Sequence, residues 1–283
     1  MKGYVMTTTI SFPGLGIDRF TISKTAISFG KFSVAWYGLI IVIGMIIAVS
    51  YVMWRAKQNG ISSDSILDLA IAVIVSGVIG ARLYYVLTSL NDYHSFADVF
   101  KIWEGGLGIY GGIIAGGLAV LITARIKKLN FFMLADMVMP AVLIAQSLGR
   151  WGNFVNGEAY GAETTLPWRM GLHGQYYSIF VHPTFLYESL WTCLGFILAN
   201  ILYRRRRYHG QVMLFGFAYY GFGRMFIELL RADSLYICSY HAWFTKISVI
   251  VGFIAFAVST FFLSYFAIKG RRDEIKPIPK KEI

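Results

Sequence analysis

The chain has 283 residues, of which 57% are hydrophobic and only 14% are charged, and its mean hydropathy is +0.59. A typical soluble domain carries about 25% charged residues, so the composition excludes an ordinary soluble protein and indicates a polytopic membrane protein. The net charge of +11 comes from short basic clusters between apolar runs, a pattern typical of membrane topology rather than nucleic-acid binding. Two cysteines without metal-ligand spacing predict neither a disulfide framework nor a metal site.

The first 32 residues are too polar for a signal peptide, and we interpret them as an extracytoplasmic arm. A helix needs about 20 apolar residues to cross a bilayer, and seven segments qualify: 33–54, 66–90, 108–124, 131–148, 184–203, 211–230 and 243–268. The sequence therefore predicts an all-α polytopic membrane protein with about seven transmembrane helices. Residues 1–268 are predicted to form a single membrane-embedded domain, followed by a basic tail at 269–283.

Basic clusters follow the first, third, fifth and seventh predicted spans, at 55–57, 125–128, 204–207 and 269–281. Because cytoplasmic loops carry an excess of Lys and Arg, this pattern predicts an N-terminus outside and a cytoplasmic C-terminus. Two long loops, 91–107 and 150–183, then lie outside as interfacial arms.

The segment 149–161 reads Gly-Arg-Trp-Gly-Asn-Phe-Val-Asn-Gly-Glu-Ala-Tyr-Gly and follows the fourth predicted span. Polar groups at membrane depth are costly unless they face a protein interior or a water-filled cavity, so this cluster predicts a site. The predicted orientation brings polar residues of six spans to the same depth near the outer surface: Tyr37, Arg82, Tyr110, Arg150, Glu188 and Arg224.

In the sixth span, Tyr220, Arg224, Glu228 and Arg231 follow helical spacing on one face. Two interpretations remain open. The face is either an internal ion-pair ladder that only holds helices together, or a set of arginines that bind an anion while Glu228 fixes their geometry. Arginine offers a planar fork that matches phosphate oxygens, and two arginines at one depth, Arg150 and Arg224, favour a bound phosphate.

Two further features have open interpretations. Gly108, Gly112 and Gly116 recur at four-residue spacing, which favours close helix packing, with a re-entrant turn that exposes amides to an anion as the alternative. His182 at the start of the fifth span is either a capping or packing residue or a site residue close to Glu188.

Together these residues resemble the bacterial prolipoprotein diacylglyceryl transferase family. Segment 149–161 is similar to its pattern Gly-Arg-x-Gly-Asn-Phe-x-Asn-x-Glu with a closing glycine. Supporting blocks occur in the family's order over residues 36–231: Trp36-Tyr37-Gly38, the glycine-rich 105–117, His182-Pro183 with Tyr187-Glu188, and Tyr220-Gly-x-x-Arg224-x-x-x-Glu228-x-x-Arg231. The family's seven-span topology with an outside N-terminus agrees with the basic clusters.

The resemblance implies a multi-pass enzyme of the bacterial cytoplasmic membrane. Its substrates would be phosphatidylglycerol and prolipoprotein signal peptides with a lipobox cysteine. The sn-1,2-diacylglyceryl group would move to that cysteine as a thioether, and glycerol phosphate would leave. No cofactor, metal or nucleic acid is implied.

The same resemblance implies the site. Arg150 would bind the phosphate, Arg224 would stabilise the leaving group, and Glu158 and Glu228 would hold these arginines. Tyr110 is a third catalytic candidate. The implied substrate-binding residues are Arg150, Asn153, Asn156, Glu158, Gly161, Tyr37, His182, Tyr187, Glu188, Tyr220, Glu228 and Arg231.

Tyr110 stands where many family members carry a histidine proposed to deprotonate the thiol. A phenol with a pKa of about 10 is a poor base at neutral pH, whereas a cysteine thiol with a pKa of about 8.5 is already partly ionised. Three explanations remain open: Tyr110 is activated by an arginine, another residue acts as the base, or no dedicated base is needed. The last two are favoured.

Two other functions are compatible with the residues. Intramembrane charges and glycine-rich helices also suit a small-solute transporter or channel, although an odd number of spans without an internal repeat argues against common transporter folds. A non-catalytic membrane scaffold is the other alternative, and it leaves segment 149–161 without an explanation.

Overall fold

The computed structural model describes residues 6–29, 32–90, 93, 95–102, 105–234, 243–273 and 275. Over these residues the chain forms seven long helices: α1 (Trp36–Gln58), α2 (Ser63–Thr88), α3 (Ile109–Ile126), α4 (Phe131–Asn156), α5 (Thr184–Arg205), α6 (Gln211–Leu230) and α7 (Ile247–Ile268). Each corresponds to one predicted span. The prediction of a mostly helical polytopic membrane protein is confirmed.

Six of these helices, α1 to α5 and α7, are long and apolar enough to cross a membrane within the described part of the chain. Helix α6 is not among them, because its 20 residues include Gln211, Arg224 and Glu228 together with three glycines. Its membrane crossing stays a prediction, as do the outside N-terminus and the cytoplasmic C-terminus. The predicted tail is described only at residues 269–273 and 275; its other residues lie outside the described chain.

Short strands form the predicted N-terminal arm, which local sequence patterns did not reveal as β-structure. Strands β1 (Thr7–Phe12), β2 (Ile17–Ser23), β5 (Met170–His173) and β6 (Ser178–Val181) make an antiparallel sheet in the order β2-β1-β5-β6. A separate two-stranded ribbon joins β3 (Thr25–Phe29) to β4 (Phe32–Ala35), which runs directly into α1. Residues 33–35, predicted as part of the first span, therefore belong to a strand.

The chain divides into two compact units, and the single domain predicted for 1–268 stays a prediction. The first unit contains 1–48 and 138–275, and the second contains 49–137 with the undescribed 276–283. In the first unit the sheet lies on the ends of α4 and α5. Its core is Ile10, Met170, Leu172, Val181 and Phe185, with Phe154 of α4 packed against it.

In the second unit, α2 and α3 pack with their backbones in close contact. A Cβ at Gly111 would come within 2.1 Å of the Gly80 carbonyl oxygen, and one at Gly112 within 3.3 Å of the Gly77 carbonyl oxygen. Small residues permit this approach. The close-packing interpretation of the glycine-rich segment is therefore confirmed at these two positions.

Arg82 of α2, expected among the converging polar residues, is buried and bonds to backbone instead. Its Nε donates to the Val99 carbonyl at 2.7 Å and its Nη2 to that of Asp98 at 2.7 Å. Its Nη1 donates to the carbonyls of Gly105 at 2.7 Å and Gly106 at 3.1 Å. Arg82 thereby holds together the segment that leads into α3.

Two arginines of the predicted basic clusters are buried. The guanidinium of Arg55 lies 4.3 Å from the ring centre of Trp54, and that of Arg206 lies 3.7 Å from the ring centre of Tyr203. Stacking of this kind stabilises a charge that has left water. Both side chains therefore contribute to packing as well as to the charge of their segments.

Candidate active site

The polar segment 149–161 begins as helix rather than loop. Helix α4 continues to Asn156 and ends at Gly157, whose φ of +66° suits a residue without a Cβ. The predicted external loop 150–183 was therefore wrong over its first seven residues. Gly152 is one reason the helix fits here, because a Cβ at this position would come within 2.5 Å of Cδ2 in the Tyr37 ring.

Arg150 is held within its own helix and by α5. Its Nη1 donates to Oδ1 of Asn153 at 3.1 Å, and its Nη2 forms an ion pair with Oε1 of Glu188 at 2.5 Å. Oε1 of Glu158 accepts from the amide nitrogens of Asn153 at 3.0 Å and Asn156 at 3.2 Å. Glu158 thus reaches Arg150 through Asn153, whereas the carboxylate in direct contact with Arg150 is that of Glu188.

Glu188 is shared by two arginines from two helices. Its second oxygen, Oε2, accepts from Nη1 of Arg224 on α6 at 2.8 Å. One carboxylate on α5 therefore sets the separation between the guanidinium groups of Arg150 and Arg224. The Glu188 side chain is only 3% exposed, so it is buried as the common partner of the two arginines, and its predicted role in substrate binding stays a prediction.

Arg224 also pairs with Glu228 one turn along α6, at 2.5 Å between Nη2 and Oε2. The expected partnership of these two residues is confirmed, and the ladder interpretation correctly describes their contact. The ladder also extends across helices through Glu188. An ion-pair ladder and an anion site are therefore compatible in one arrangement.

Burial differs between the two signs of charge in this cluster, which we call the arginine cluster (Arg150, Glu188, Arg224 and Glu228). The Arg150 and Arg224 side chains are 22% and 12% exposed, whereas those of Glu188 and Glu228 are 3% and 2% exposed. The carboxylates are deep and the guanidinium groups are shallower. An anion that approached the cluster would therefore meet the N–H donors of the guanidinium groups before the carboxylates.

Two backbone hydrogen bonds, which we call the Gly161 ladder, connect the segment after α4 to the start of α5 and to the end of α6. The Gly161 amide donates to the His182 carbonyl at 3.0 Å, and the Ala162 amide donates to the Leu230 carbonyl at 2.7 Å. A Cβ at Gly161 would lie 2.6 Å from Cβ of His182 and 2.8 Å from the Leu230 oxygen. Gly161 therefore permits the segment after α4 to pass between the start of α5 and the end of α6.

The end of α6 is fixed by charged groups. Arg231 donates from Nε and Nη2 to the two carboxylate oxygens of Asp233 at 3.0 and 2.8 Å. The buried Lys246 donates from Nζ to the carbonyls of Glu228 at 2.8 Å and Arg231 at 3.3 Å. A cation suits the carbonyl end of a helix. Lys246 and Asp233 were not identified from the sequence as contributors to this region.

His182, Tyr187 and Trp168 form an aromatic group above α5. The Trp168 indole donates to the Tyr187 hydroxyl at 2.6 Å, and that hydroxyl lies 3.3 Å from Nδ1 of His182. The hydroxyl of Thr184 donates to the carbonyl of Ala159, a residue with φ of +55°. His182 therefore has packing and hydrogen-bonding partners here, and a role in substrate binding stays a prediction for both His182 and Tyr187.

A buried serine pair next to the arginine cluster was also missed. The Ser147 hydroxyl donates to the Ser189 carbonyl at 2.9 Å, and the Ser189 hydroxyl donates to the Ser147 carbonyl at 2.9 Å. The Trp151 indole also donates to the Ser189 hydroxyl, at 3.2 Å. Ser189 follows Glu188, and Ser147 lies one turn before Arg150. These bonds therefore fix how far α4 is shifted along α5 at the arginine cluster.

The three other predicted site tyrosines have different positions. Tyr37 contacts Gly152 as described, and Tyr220 is partly buried on α6, one turn before Arg224. Tyr110 lies in the first turn of α3 in the second unit, with its ring centre 6.1 Å from that of Tyr84. Its proposed catalytic role stays a prediction.

Comparison with known proteins identifies relatives over most of the chain. A family model described as "Prolipoprotein diacylglyceryl transferase" matches residues 24–265. Three similar proteins, from Listeria welshimeri, Clostridium perfringens and Thermotoga maritima, are 43%, 41% and 38% identical to this chain. The alignments cover 76%, 84% and 84% of this chain and 80%, 94% and 85% of the relatives.

The Listeria and Thermotoga proteins are named "Phosphatidylglycerol--prolipoprotein diacylglyceryl transferase", and the Clostridium protein has this name with the number 1. The matched region includes the whole arginine cluster and the Gly161 ladder. Matches of this length and identity leave the transporter alternative without support. The chain belongs to the prolipoprotein diacylglyceryl transferase family.

Proposed function

We propose that this protein transfers the sn-1,2-diacylglyceryl group of phosphatidylglycerol to the lipobox cysteine of prolipoproteins in the bacterial cytoplasmic membrane. The cysteine sulfur forms a C–S bond with the carbon of the diacylglyceryl group that carries the phosphate ester. The C–O bond at that carbon breaks, and its electron pair leaves with glycerol phosphate. The thiol proton is lost to a base or to water.

The arrangement of the arginine cluster carries this proposal. The leaving group is an anion whose charge increases as the C–O bond breaks, so it needs positioned donors that are already in place. Arg150 and Arg224 provide such donors, and Glu188 sets their spacing. In this mechanism Arg150 binds the phosphate of the lipid, and Arg224 stabilises the departing glycerol phosphate.

The amides of the segment after Arg150 fit the neutral part of the headgroup. Asn153 and Asn156 both donate to Glu158, which fixes the orientation of their carbonyl oxygens. Such oxygens are suitable acceptors for the hydroxyl groups of the phosphatidylglycerol headgroup. We assign orientation of the headgroup to these two residues, and a lining role to Tyr37 and Tyr220.

The test is an incubation of the purified protein with phosphatidylglycerol vesicles and a synthetic lipobox peptide, followed by mass spectrometry of the peptide. We expect an added diacylglyceryl mass on the cysteine. The adduct should be absent when the peptide carries Ser in place of Cys and when the protein carries Arg150→Ala. Folded, lipid-bound wild-type protein that forms no adduct would contradict the proposal, and solute flux across the same vesicles would favour a transporter.

The same assay tests the base. Tyr110→Phe removes the phenol and keeps the ring that packs near Tyr84. Because a thiol with a pKa of about 8.5 is already a few per cent ionised at neutral pH, we expect activity close to that of the wild type. A large loss of turnover in folded Tyr110→Phe protein would instead assign the proton transfer to Tyr110.

A further inference from the structure

The β3–β4 ribbon has one apolar face and one polar face. Its antiparallel register pairs Ile27 with Val34, Ser28 with Ser33, and Phe29 with Phe32. Paired residues point to the same side of a ribbon, and successive residues alternate between sides. Ile27, Val34, Phe29 and Phe32 therefore share one face, which we call the ribbon's apolar face. Ser28 and Ser33 lie on the other.

The apolar face is strongly exposed. Phe29 and Phe32 are 73% and 83% exposed, and Ile27 and Val34 are each 44% exposed. A lone two-stranded hairpin is marginally stable in water at best, and contiguous exposed apolar side chains mark a surface that another apolar phase covers. The ribbon therefore needs a covering partner.

The covalent connection of the ribbon to α1 indicates which partner covers the apolar face. Strand β4 ends at Ala35 and α1 begins at Trp36, with no residue between them. The Trp36 amide also donates to the Lys24 carbonyl at 2.9 Å, which ties the base of the ribbon to the start of the helix. The ribbon is thus tied directly to the first turn of α1.

Helix α1, which begins directly after the ribbon, also exposes apolar side chains. Ile43, Ile46 and Ile47 of α1 are exposed, and α1 is long and apolar enough to cross the bilayer. Trp is enriched at the interface between lipid and water, where Trp36 would lie, and Phe is common on the apolar face of interfacial segments. An exposed apolar ribbon face joined directly to a helix that is apolar enough to cross the bilayer suits lipid better than a soluble partner.

We propose that the β3–β4 ribbon lies in the bilayer interface, with its apolar face toward the lipid and Ser28 and Ser33 toward water. The occupant of the apolar face is the lipid bilayer itself. The ribbon then anchors the start of α1 at a fixed depth. This proposal needs only a membrane-inserted chain and does not depend on the transfer reaction.

Site-directed spin labelling of the full chain in phosphatidylglycerol-containing vesicles tests the ribbon. In a background with Cys193→Ser and Cys238→Ser, one nitroxide is placed at each of 27, 28, 29, 32, 33 and 34. Collision with oxygen, which concentrates in lipid, is compared with collision with a water-soluble nickel chelate. Ile46 of α1 is the lipid-facing control. Thr21 of β2 is the water-facing control, since its hydroxyl lies on the exposed polar side of the sheet, 3.1 Å from that of Thr9.

We expect a ratio of oxygen to nickel collisions that is several-fold higher at 27, 29, 32 and 34 than at 28 and 33, and that approaches the value at 46. Equal ratios on the two faces, or ratios at all six positions that match position 21, would overturn the proposal. It would also be overturned if the four apolar positions became protected only when a lipobox peptide was added, which would assign the face to the peptide. Dipolar coupling between labels of two molecules would assign it to a second copy.

Discussion

Arg82 in the second unit and the arginine cluster in the first unit both keep arginine charges largely out of water, but their hydrogen-bond partners differ. Arg82 donates from all three guanidinium nitrogens to four backbone carbonyls. Arg150 and Arg224 instead share the carboxylate of Glu188, and both keep some exposure. A buried arginine with carbonyl partners fixes a loop, whereas the two arginines that share a buried carboxylate are the ones that we propose to bind an anion.

The largest effect should follow from changes within the arginine cluster that keep its charge. Arg150→Lys or Arg224→Lys retains a cation but loses the planar fork. Removing one preorganised donor from a catalytic site costs about 100-fold to 1,000-fold in rate. We expect a loss of this order in adduct formation, with thermal unfolding close to that of the wild type.

Arg169→Lys is the matched control for these variants, because Arg169 donates to the carbonyls of Thr165 and Leu166 in the same unit. It should retain most of the activity. Near-normal turnover of both Arg150→Lys and Arg224→Lys would remove the distinction between the arginine cluster and Arg82.

Arg82→Lys should affect stability more than turnover. A lysine ammonium has three donors and no planar geometry, so at least one of the four hydrogen bonds is lost, each contributing roughly 1 kcal/mol. We expect a clear fall in the unfolding temperature and turnover per folded molecule within a few-fold of the wild type. A variant with normal stability and no transfer activity would place Arg82 in the chemistry.

The serine pair should have an intermediate effect. Ser147→Ala with Ser189→Ala removes both reciprocal bonds between α4 and α5, so Arg150 and Glu188 lose part of their registration. We expect the turnover number to fall several-fold, with a smaller change in the KM for phosphatidylglycerol. Thr192→Val is the control, since the Thr192 hydroxyl donates only within α5 in the bonds described, to the carbonyls of Glu188 and Ser189. Equal effects of the double variant and Thr192→Val would reject a positioning role.

The smallest effect concerns the sheet rather than either arginine region. His173 of β5 lies 2.8 Å from the Ser11 hydroxyl through Nε2 and 2.9 Å from that of Ser178 through Nδ1. Burial, and secondarily the charge of Arg19, lowers its pKa. Below pH of about 6.5 the unfolded histidine binds a proton that the folded one resists, so stability should fall modestly between pH 7 and pH 5. His173→Asn should flatten this slope in thermal unfolding, and an unchanged slope would exclude His173 as its cause.

The helices were predictable because their signals are local. Helix α6 has the predicted bounds, and α5 has the predicted start. Helix α4 was predicted to end at 148 because hydropathy falls where Gly149 and Arg150 begin. Contacts with Tyr37 and Glu188 extend it to Asn156. The four-stranded sheet was not predictable in this way, since β1 pairs with β5 more than 150 residues later.

In the candidate site, too, contacts within one helix were predictable and contacts between helices were not. Spacing along one helix predicted the Arg224–Glu228 pair, because residues four apart are neighbours on a helix surface. The bridge from Arg150 to Glu188 joins two helices, and no periodicity within either helix carries that information. The sequence could therefore nominate the residues of the cluster but not their partners.

The sharing of Glu188 has a consequence for how this site changes over evolution. A single substitution at 188 removes a partner from two arginines on two different helices, so a change at this position cannot disturb one arginine and spare the other. Position 188 should therefore vary less among lineages than a position that supports one arginine alone.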